Sequence, residues 1–424
     1  MDGSSRVVAA LVISLVALAG CKTSGGGESR TDDQKASQTE SADKKGETED
    51  DVRTRRFPDP EVPAERTAGK LEQVASFDGA MPTGVTVSPE GRIFVNFPRW
   101  GDAPRSTVAE LVDGEPVPYP NAEVNELDES APEKHFLSVQ SVVVGPDGET
   151  LWVLDTGSPK FGPTIEGGAK LVGIDLAGDE ITKTIVFPPD VALESSYLND
   201  VRFDYTRGEG GMAYITDSSG AGTNGIVVAD LESGESWRRL HKHPATQAEE
   251  AFVPIVEGRA LMQRPDEQSD PSHMSVGSDG IAIDADGGRL YFRPLSGRGL
   301  YSVSMEALSD REMDQEKVAE TVEKHGQLGF ASDGLEADAE GRIYLTNYED
   351  NAVLRWAPGG ELETIAHHPQ MLWPDTLALV DGWLYFTANQ LHRQPAFNRG
   401  EDLRRRPYML FRVAVDARPV KLVD

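Results

Sequence analysis

The 424-residue sequence predicts an all-β fold, a six-bladed β-propeller carried behind a disordered N-terminal tether. Two observations carry that prediction. "SDGIAIDADGGRLYF" at 278–292 and "SDGLEADAEGRIYLT" at 332–346 say nearly the same thing 54 residues apart, and four more stretches share their pattern. Each has a short apolar strand, a Gly-containing turn and a second strand ending near a polar residue. Such hairpin-led units, recurring at intervals of 42 to 80 residues, are the signature of propeller blades.

The chain begins with segments outside the fold. Arg6 precedes an apolar run, Val7 to Leu18, of signal-peptide length and too short to span a bilayer. It ends in Leu18-Ala19-Gly20-Cys21, which resembles the bacterial lipobox, so residues 1–21 read as a lipoprotein signal with Cys21 as the lipidated residue. Cys21 is also the only cysteine, so no disulfide forms within the chain. Lys22 after it implies, by the same resemblance, the outer membrane of a Gram-negative cell envelope. Residues 22–69 read as a polar linker. The first 35 or so of these contain almost no large apolar side chains and cannot order themselves. A coil of that length holds the domain roughly 30–35 Å from its anchor.

Composition bounds the rest. With 38% hydrophobic and 26% charged residues the chain can bury a sizeable core. The net charge of −30 argues against nucleic acid, whose phosphates need Lys and Arg. It suits a cationic small molecule, a salty medium or simple solubility.

The propeller itself is expected over 70–424. Its hairpins begin at Pro82, Val139, Leu198, Ser278, Ser332 and Pro374. Turns such as Pro89-Glu90-Gly91 and Pro146-Asp147-Gly148 have tight-hairpin composition. "LEQVASF" (71–77) is expected to supply the outer strand of the last blade and close the ring around "MLFRVAV". Two segments depart from the repeat: a Pro-rich insertion at 240–275, and 306–324, which reads as one helix with capping-box spacing from Ser309 to Glu312. Either is able to fold over the propeller, although each also reads as a surface excursion.

Aligning the six first strands places Thr83, Gln140, Asn199, Asp279, Asp333 and Asp375 at equivalent positions. Inner strands line a propeller's channel, so these side chains are expected to converge at one mouth. Carboxylates held together repel and raise one another's pKa unless a cation neutralises them. These residues fix no cofactor, but Ca²⁺ or another divalent cation is the one that Asn199, Asp279 and Asp333 would suit. The competing role is local, with Asp or Asn before Gly accepting backbone N–H groups. A second ring, Asn96, Asp155, Asp217, Arg293, Asn347 and Asn389, ends the second strands and is expected near loops at the other end of the hairpins. Its mixed acid, base and amide groups suggest a polar cavity or turn capping rather than a metal cage.

Other motifs fail on context. Gly220 to Gly225 spells GxGxxG but joins two strands, whereas a dinucleotide site needs a helix N-terminus. The paired His241 and His243, and His367 and His368, read as solvated loop residues.

"YLNDVRFD" (197–204), "AYITDSSG" (213–220), "SDGIAID" (278–284), "NAVLRW" (351–356) and "WPDTLAL" (373–379) occur in the order and spacing of the royal-jelly protein/Yellow family, which this chain resembles from about Leu71 to Val415. The resemblance implies six blades and a functionally mixed family, with nutritional members, members linked to dopachrome conversion and members that bind biogenic amines in the channel. It implies that Asn199, Thr216, Asp217, Asn347 and Asn389 contact a ligand, with Asp279, beside Asp333 and Asp375, pairing with an ammonium group. More distantly the chain resembles gluconolactonase-like propellers, in which an Asn and a later Asp, here Asn199 and Asp279, hold a metal that polarises a lactone carbonyl. Those enzymes begin the first inner strand with a metal-binding Glu, and this chain has Thr83. The expectation is therefore small-molecule binding in the channel, with a metal-dependent lactonase as the enzyme alternative. A non-catalytic envelope protein using a propeller face to dock is the third.

Overall fold

Strands that read as continuous apolar runs need neighbours on both faces, and stacked blades supply them. The computed structural model describes residues 67–423; the signal peptide with Cys21, and the linker up to residue 66, lie outside the described residues. Among the described residues six four-stranded antiparallel sheets follow one another around an axis. Blade 1 is β2 (Val85–Val87), β3 (Ile93–Asn96), β4 (Val108–Val112) and β5 (Glu115–Pro118). Blade 2 is β6 (Val139–Val144), β7 (Thr150–Thr156), β8 (Ala169–Asp175) and β9 (Glu180–Val186). Blade 3 is β10 (Leu198–Asp204), β11 (Met212–Asp217), β12 (Gly225–Asp230) and β13 (Ser236–Arg239). After a two-stranded hairpin, β14 (Ile255–Val256) and β15 (Arg259–Ala260), blade 4 is β16 (Ser278–Ile283), β17 (Arg289–Pro294), β18 (Gly299–Ser304) and β19 (Glu323–Gln327). Blade 5 is β20 (Leu335–Ala337), β21 (Ile343–Asn347), β22 (Ala352–Trp356) and β23 (Leu362–His367). Blade 6 is β24 (Pro374–Val380), β25 (Trp383–Ala388) and β26 (Tyr408–Ala414), with β1 (Leu71–Phe77) as its outer strand.

The closing pair is the one the sequence predicts: β1 runs antiparallel to β26, Leu71 opposite Val413 and Phe77 opposite Tyr408. A ring closed by strands from both ends of the fold ties the first blade to the last. The first strands of successive blades neighbour one another around the axis, β24 returning to β2.

Each blade interface has its own apolar cluster. Phe94 and Val108 of blade 1 meet Val142, Leu151 and Val153 of blade 2. Leu154 and Leu171 meet Phe203, Ile215 and Val227, Tyr214 and Val228 meet Ile281 and Phe292, and Ala282 and Leu300 meet Leu335 and Leu345. Tyr344 and Val353 meet Leu377 and Phe386, and Phe77 and Leu410 meet Val85 and Val95. The core is thus six separate seams rather than one centre, which leaves the axis free for polar groups.

The departures from the repeat resolve differently. The 240–275 insertion packs over one face: Phe252, Val256, Leu261 and Met274 are buried against Leu295, Tyr348 and Trp373, and the insertion is pinned where Glu257 accepts from His392 Nε2 (2.8 Å) and Arg393 Nε (2.9 Å). The expected helix over 306–324 is instead two short ones, α1 (Met305–Ser309) and α2 (Gln315–Glu320), followed by β19. Ser304, not Ser309, caps the first, its side chain accepting from Ala307 N. Val318 is buried, with Met313 and Val322 packed beside it against the seam of blades 3 and 4. The apolar stripe was legible, but blade 4 needed an outer strand, and the tertiary demand for pairing overrode helix periodicity in the last turn.

Candidate functional site: an acidic cavity at one mouth of the channel

Three first strands carry a register shift at their start. Leu198 faces Asp217 but Val201 faces Ile215; Ser278 faces Pro294 but Ile281 faces Phe292; Pro374 faces Ala388 but Leu377 faces Phe386. Each leaves one extra residue on the inner strand, a bulge that re-aims side chains. The bulged stretches hold Asn199, Asp279 and Asp375. A similar shift between Val139 and Ser141 frees Gln140, and Asp333 lies two residues before β20 with its N–H bonded to Thr346 Oγ1 (3.0 Å).

The glycines after Asp279 and Asp333 explain how the acids come together. A Cβ on Gly280 would lie 2.1 Å from Asp333 O, and one on Gly334 would lie 2.4 Å from Asp375 O. Only glycine lets adjacent inner strands approach this closely at the mouth.

The resulting cavity has a volume of about 890 Å³. Gln140, Asn199, Asp279, Asp333 and Asp375 lie on its wall, with Glu194 nearer the rim, and not one lining residue is Lys, Arg or His. Blades 1 to 3 contribute an aromatic side, Trp100, Phe161 and Tyr197, and the insertion contributes Gln263, Met274 and Val276. The insertion therefore forms part of the wall, whereas 306–324 does not.

Donors hold the acids in place. Asn199 Nδ2 donates to Asp279 Oδ1 (2.7 Å) and Ser218 Oγ to Asp279 Oδ2 (3.0 Å). Trp373 Nε1 donates to Asp333 Oδ2 (2.7 Å), and Asn389 Nδ2 donates to Asp375 Oδ2. Tyr197 OH donates to Gln140 Oε1 (3.0 Å) and accepts from Trp100 Nε1. Burial raises the pKa of Asp279 well above the carboxylate range, helped by the charges of Asp333, Asp200 and Asp375. Asp375 is raised well above that range too, by burial and then by Asp333. Burial pushes Asp333 up to about 7 against the opposing hydrogen bond from Trp373. Asp200, buried just behind, is also raised by burial, with Arg202 opposing. Burial and mutual repulsion thus favour the protonated acids, and a bound cation would oppose both.

Four expected ligand contacts do not line the cavity: Thr216, Asp217, Asn347 and Asn389. The second ring sits at the same end of the hairpins, one layer behind the first, and supports it. Thr216 Oγ1 accepts from Asp200 N (3.2 Å) and donates to Asp279 O (2.6 Å), joining blades 3 and 4. Asp217 accepts from Tyr197 N (2.9 Å) and pairs with Arg238 (2.9 Å). Asn347 Oδ1 accepts from Glu349 N and Asp350 N, each at 3.1 Å, and Asn389 Oδ1 accepts from Leu391 N (3.0 Å). In antiparallel pairing the end of a second strand necessarily meets the start of the first, and capping consumed these side chains.

The residues expected to suit a divalent cation, Asn199, Asp279 and Asp333, share the wall and are held there by protein hydrogen bonds. Thr83, where the lactonase resemblance places Glu, is fully buried, donating to Gln140 O (3.3 Å) and accepting from Asn96 Nδ2 (2.8 Å). Asn199 turns its amide nitrogen, not its oxygen, to Asp279. Among the described residues no group of three or more His, Cys, Asp or Glu side chains is arranged to hold a metal ion.

Sequence comparison decides the family. The model of the family described as major royal jelly protein matches residues 137–417. The chain belongs to the major royal jelly protein family. No curated protein matches it in sequence. Solved structures similar to this royal-jelly-family chain include a provisionally assigned gluconolactonase (13% identity, TM-score 0.49, 82% of this chain and 93% of that one). Others are the calcium-binding protein regucalcin from Agrobacterium tumefaciens (14%, 0.47, 82% and 97%) and virginiamycin B lyase from Staphylococcus aureus (14%, 0.44, 82% and 99%). These likenesses are too distant to speak of activity.

Sequence reasoning missed Trp100, Phe161, Tyr197, Ser218 and Trp373. Tyr197 and Trp373 each stand two residues before an aligned ring position, so extending the alignment backwards would have found them. Trp100 and Phe161 lie in loops with no counterpart in other blades.

Proposed function

We propose that this protein binds a small organic cation in the channel mouth. The observation that supports it most is the wall composition: four acids, no base, and a facing aromatic side. The ligand's positive group would lie against Asp279, Asp333 and Asp375, where the low-dielectric surroundings strengthen the attraction. Its apolar part would lie toward Trp100, Phe161 and Tyr197. Asn199 and Ser218 hold Asp279 in position and would do so in its ionised form, because both donate to it.

The test is isothermal titration of aliphatic and aromatic amines, their neutral alcohol analogues, and Ca²⁺ into the purified full chain. The amines are expected to bind and the alcohols not. Equal affinity for amine and alcohol would remove the cation reading, and stoichiometric Ca²⁺ binding lost in Asp279→Asn would replace it with the metal-dependent hydrolase. The anchor at Cys21, and with it a place at the cell envelope, rests on the sequence alone and is tested by metabolic labelling with a radioactive fatty acid, compared with Cys21→Ser.

A further inference from the structure

Phe161 stands out among the cavity residues because a strained turn holds its ring exposed at the rim. It ends a three-residue 3₁₀ turn, Pro159–Phe161, that buries none of its residues. It is 56% exposed. Its φ of 55° and that of Lys160, 57°, put two consecutive non-glycine residues in the left-handed region, which L-residues enter only at a cost. The turn is tied down on both sides: Lys160 N donates to Arg99 O (2.8 Å), and the buried Ser158 donates through Oγ to Gly162 O. The outcome of that strain is a phenyl ring at the rim of the cavity, stacked on Trp100 (centroids 5.1 Å, planes 27° apart) and leaning on Tyr197 (5.2 Å). Trp100 and Tyr197 are joined to the wall through Gln140. Backbone strain of this kind clusters where residues meet a ligand, and here its outcome is a half-exposed ring that extends the Trp100–Tyr197 side of the cavity to its rim.

We propose that Phe161 is a specificity-determining residue that contacts the apolar part of the ligand. It selects cations carrying a hydrophobic body over bare ones of equal charge. This rests on the cation-binding reading, and assigns to the rim what the acids cannot supply. Carboxylates attract every small cation alike, whereas a ring pre-set by its backbone discriminates by surface contact at little entropic cost.

The test measures affinity for 2-phenylethylamine and for ethylamine in the wild-type chain, Phe161→Asn and Phe161→Tyr. Asn tolerates the left-handed backbone, so the fold is expected to hold, checked by an unchanged melting temperature. The preference of the wild type for 2-phenylethylamine is expected to fall about tenfold in Phe161→Asn, with ethylamine affinity unchanged, and to be kept in Phe161→Tyr. An unaltered preference in Phe161→Asn would overturn the assignment while leaving the cation site standing. If the wild type binds neither amine, the cation reading falls and the assignment with it.

Discussion

The two ends of the channel are built from the same six strands and differ in almost every respect. At the near mouth the strands begin with bulges, and buried carboxyl groups face one another with no base on the wall. At the far end the strands run in register, and the one basic residue of the inner strands, Arg202, lies 3.5 Å from Glu336 and donates to Leu335 O (2.6 Å). The C-terminal tail then crosses beneath. Ala339 N donates to Arg418 O and Tyr205 N to Leu422 O, each at 2.9 Å, and Pro419 to Leu422 line a remaining hollow of about 180 Å³. One end pairs its inner-strand base with an acid and is crossed by its own chain; the other gathers acids with no base around 890 Å³ of space. Because burying uncompensated carboxyls lowers stability, the near mouth is the part of the molecule that folding alone does not explain.

The largest effect is expected at the sealed end, and on stability. Truncation after Val415 removes buried Ala417 and Leu422 and should cost about 3 kcal/mol, read as a lower denaturant midpoint. Leu422→Ala alone should cost about 2 kcal/mol. Cation affinity should be nearly unchanged in both, and a large loss in either would mean that the two ends are coupled.

At the near mouth the effects should reverse. Asp279→Asn keeps the shape but removes a charge, and the loss of one charge-assisted contact corresponds to about 1.5–3 kcal/mol, or roughly 10- to 100-fold in amine affinity. The fold should be no less stable, since an uncompensated acid has been neutralised. If titration found full affinity in this variant, Asp279 would be a structural residue like its neighbour Thr216.

How much of this contrast was legible in the sequence follows from what repeats. The blade count, the closing strand and the ring of Asn199, Asp279, Asp333 and Asp375 came from aligning six copies, because each copy solves the same packing problem with the same residues. The second ring was legible as a set but not in role. Asp217 and Asn347 have side chains equally suited to a ligand and to a turn N–H, and only the fold shows that the turns took them. Phe161 and Trp100 were invisible, since a loop unique to one blade has nothing to align against. The helix expected over 306–324 failed for the opposite reason: the apolar stripe was there, but its last two residues, Glu323 and Lys324, were taken into a ladder with the edge of β18.

A change of pH should act most strongly at the near mouth, where three raised acids face one another; at the far end burial raises Glu336, with Arg202 opposing. Asp333, with its pKa near 7, and Asp279 and Asp375, which burial and neighbouring acids also push well up, are raised above their unfolded values. Their contribution to stability is therefore present at low pH and is lost as pH rises through 7. The empty protein should melt at lower temperature at pH 8 than at pH 6, and an amine ligand should reverse that loss. Amine affinity should rise several-fold over the same interval, as the carboxyls give up their protons to the incoming cation. A flat affinity profile between pH 6 and 8 would count against the buried acids as the cation's partners.

The smallest effect, and the sharpest on mechanism, belongs to Trp373. Its ring stacks on Tyr348 with centroids 4.0 Å apart, and its Nε1 donates to Asp333. Phe in its place keeps most of the stack and deletes the donor. That hydrogen bond favours the ionised carboxylate, so its loss should push the Asp333 pKa further up. The pH midpoint of amine binding should then move up by about one pH unit. Affinity at pH 9, where the acid is ionised in either protein, should change less than affinity at pH 7. A role in packing alone predicts the reverse: a lower melting temperature at every pH and no movement of the midpoint. At the far end the carboxyl of Glu336 already faces Arg202, so no variant there should carry that signature.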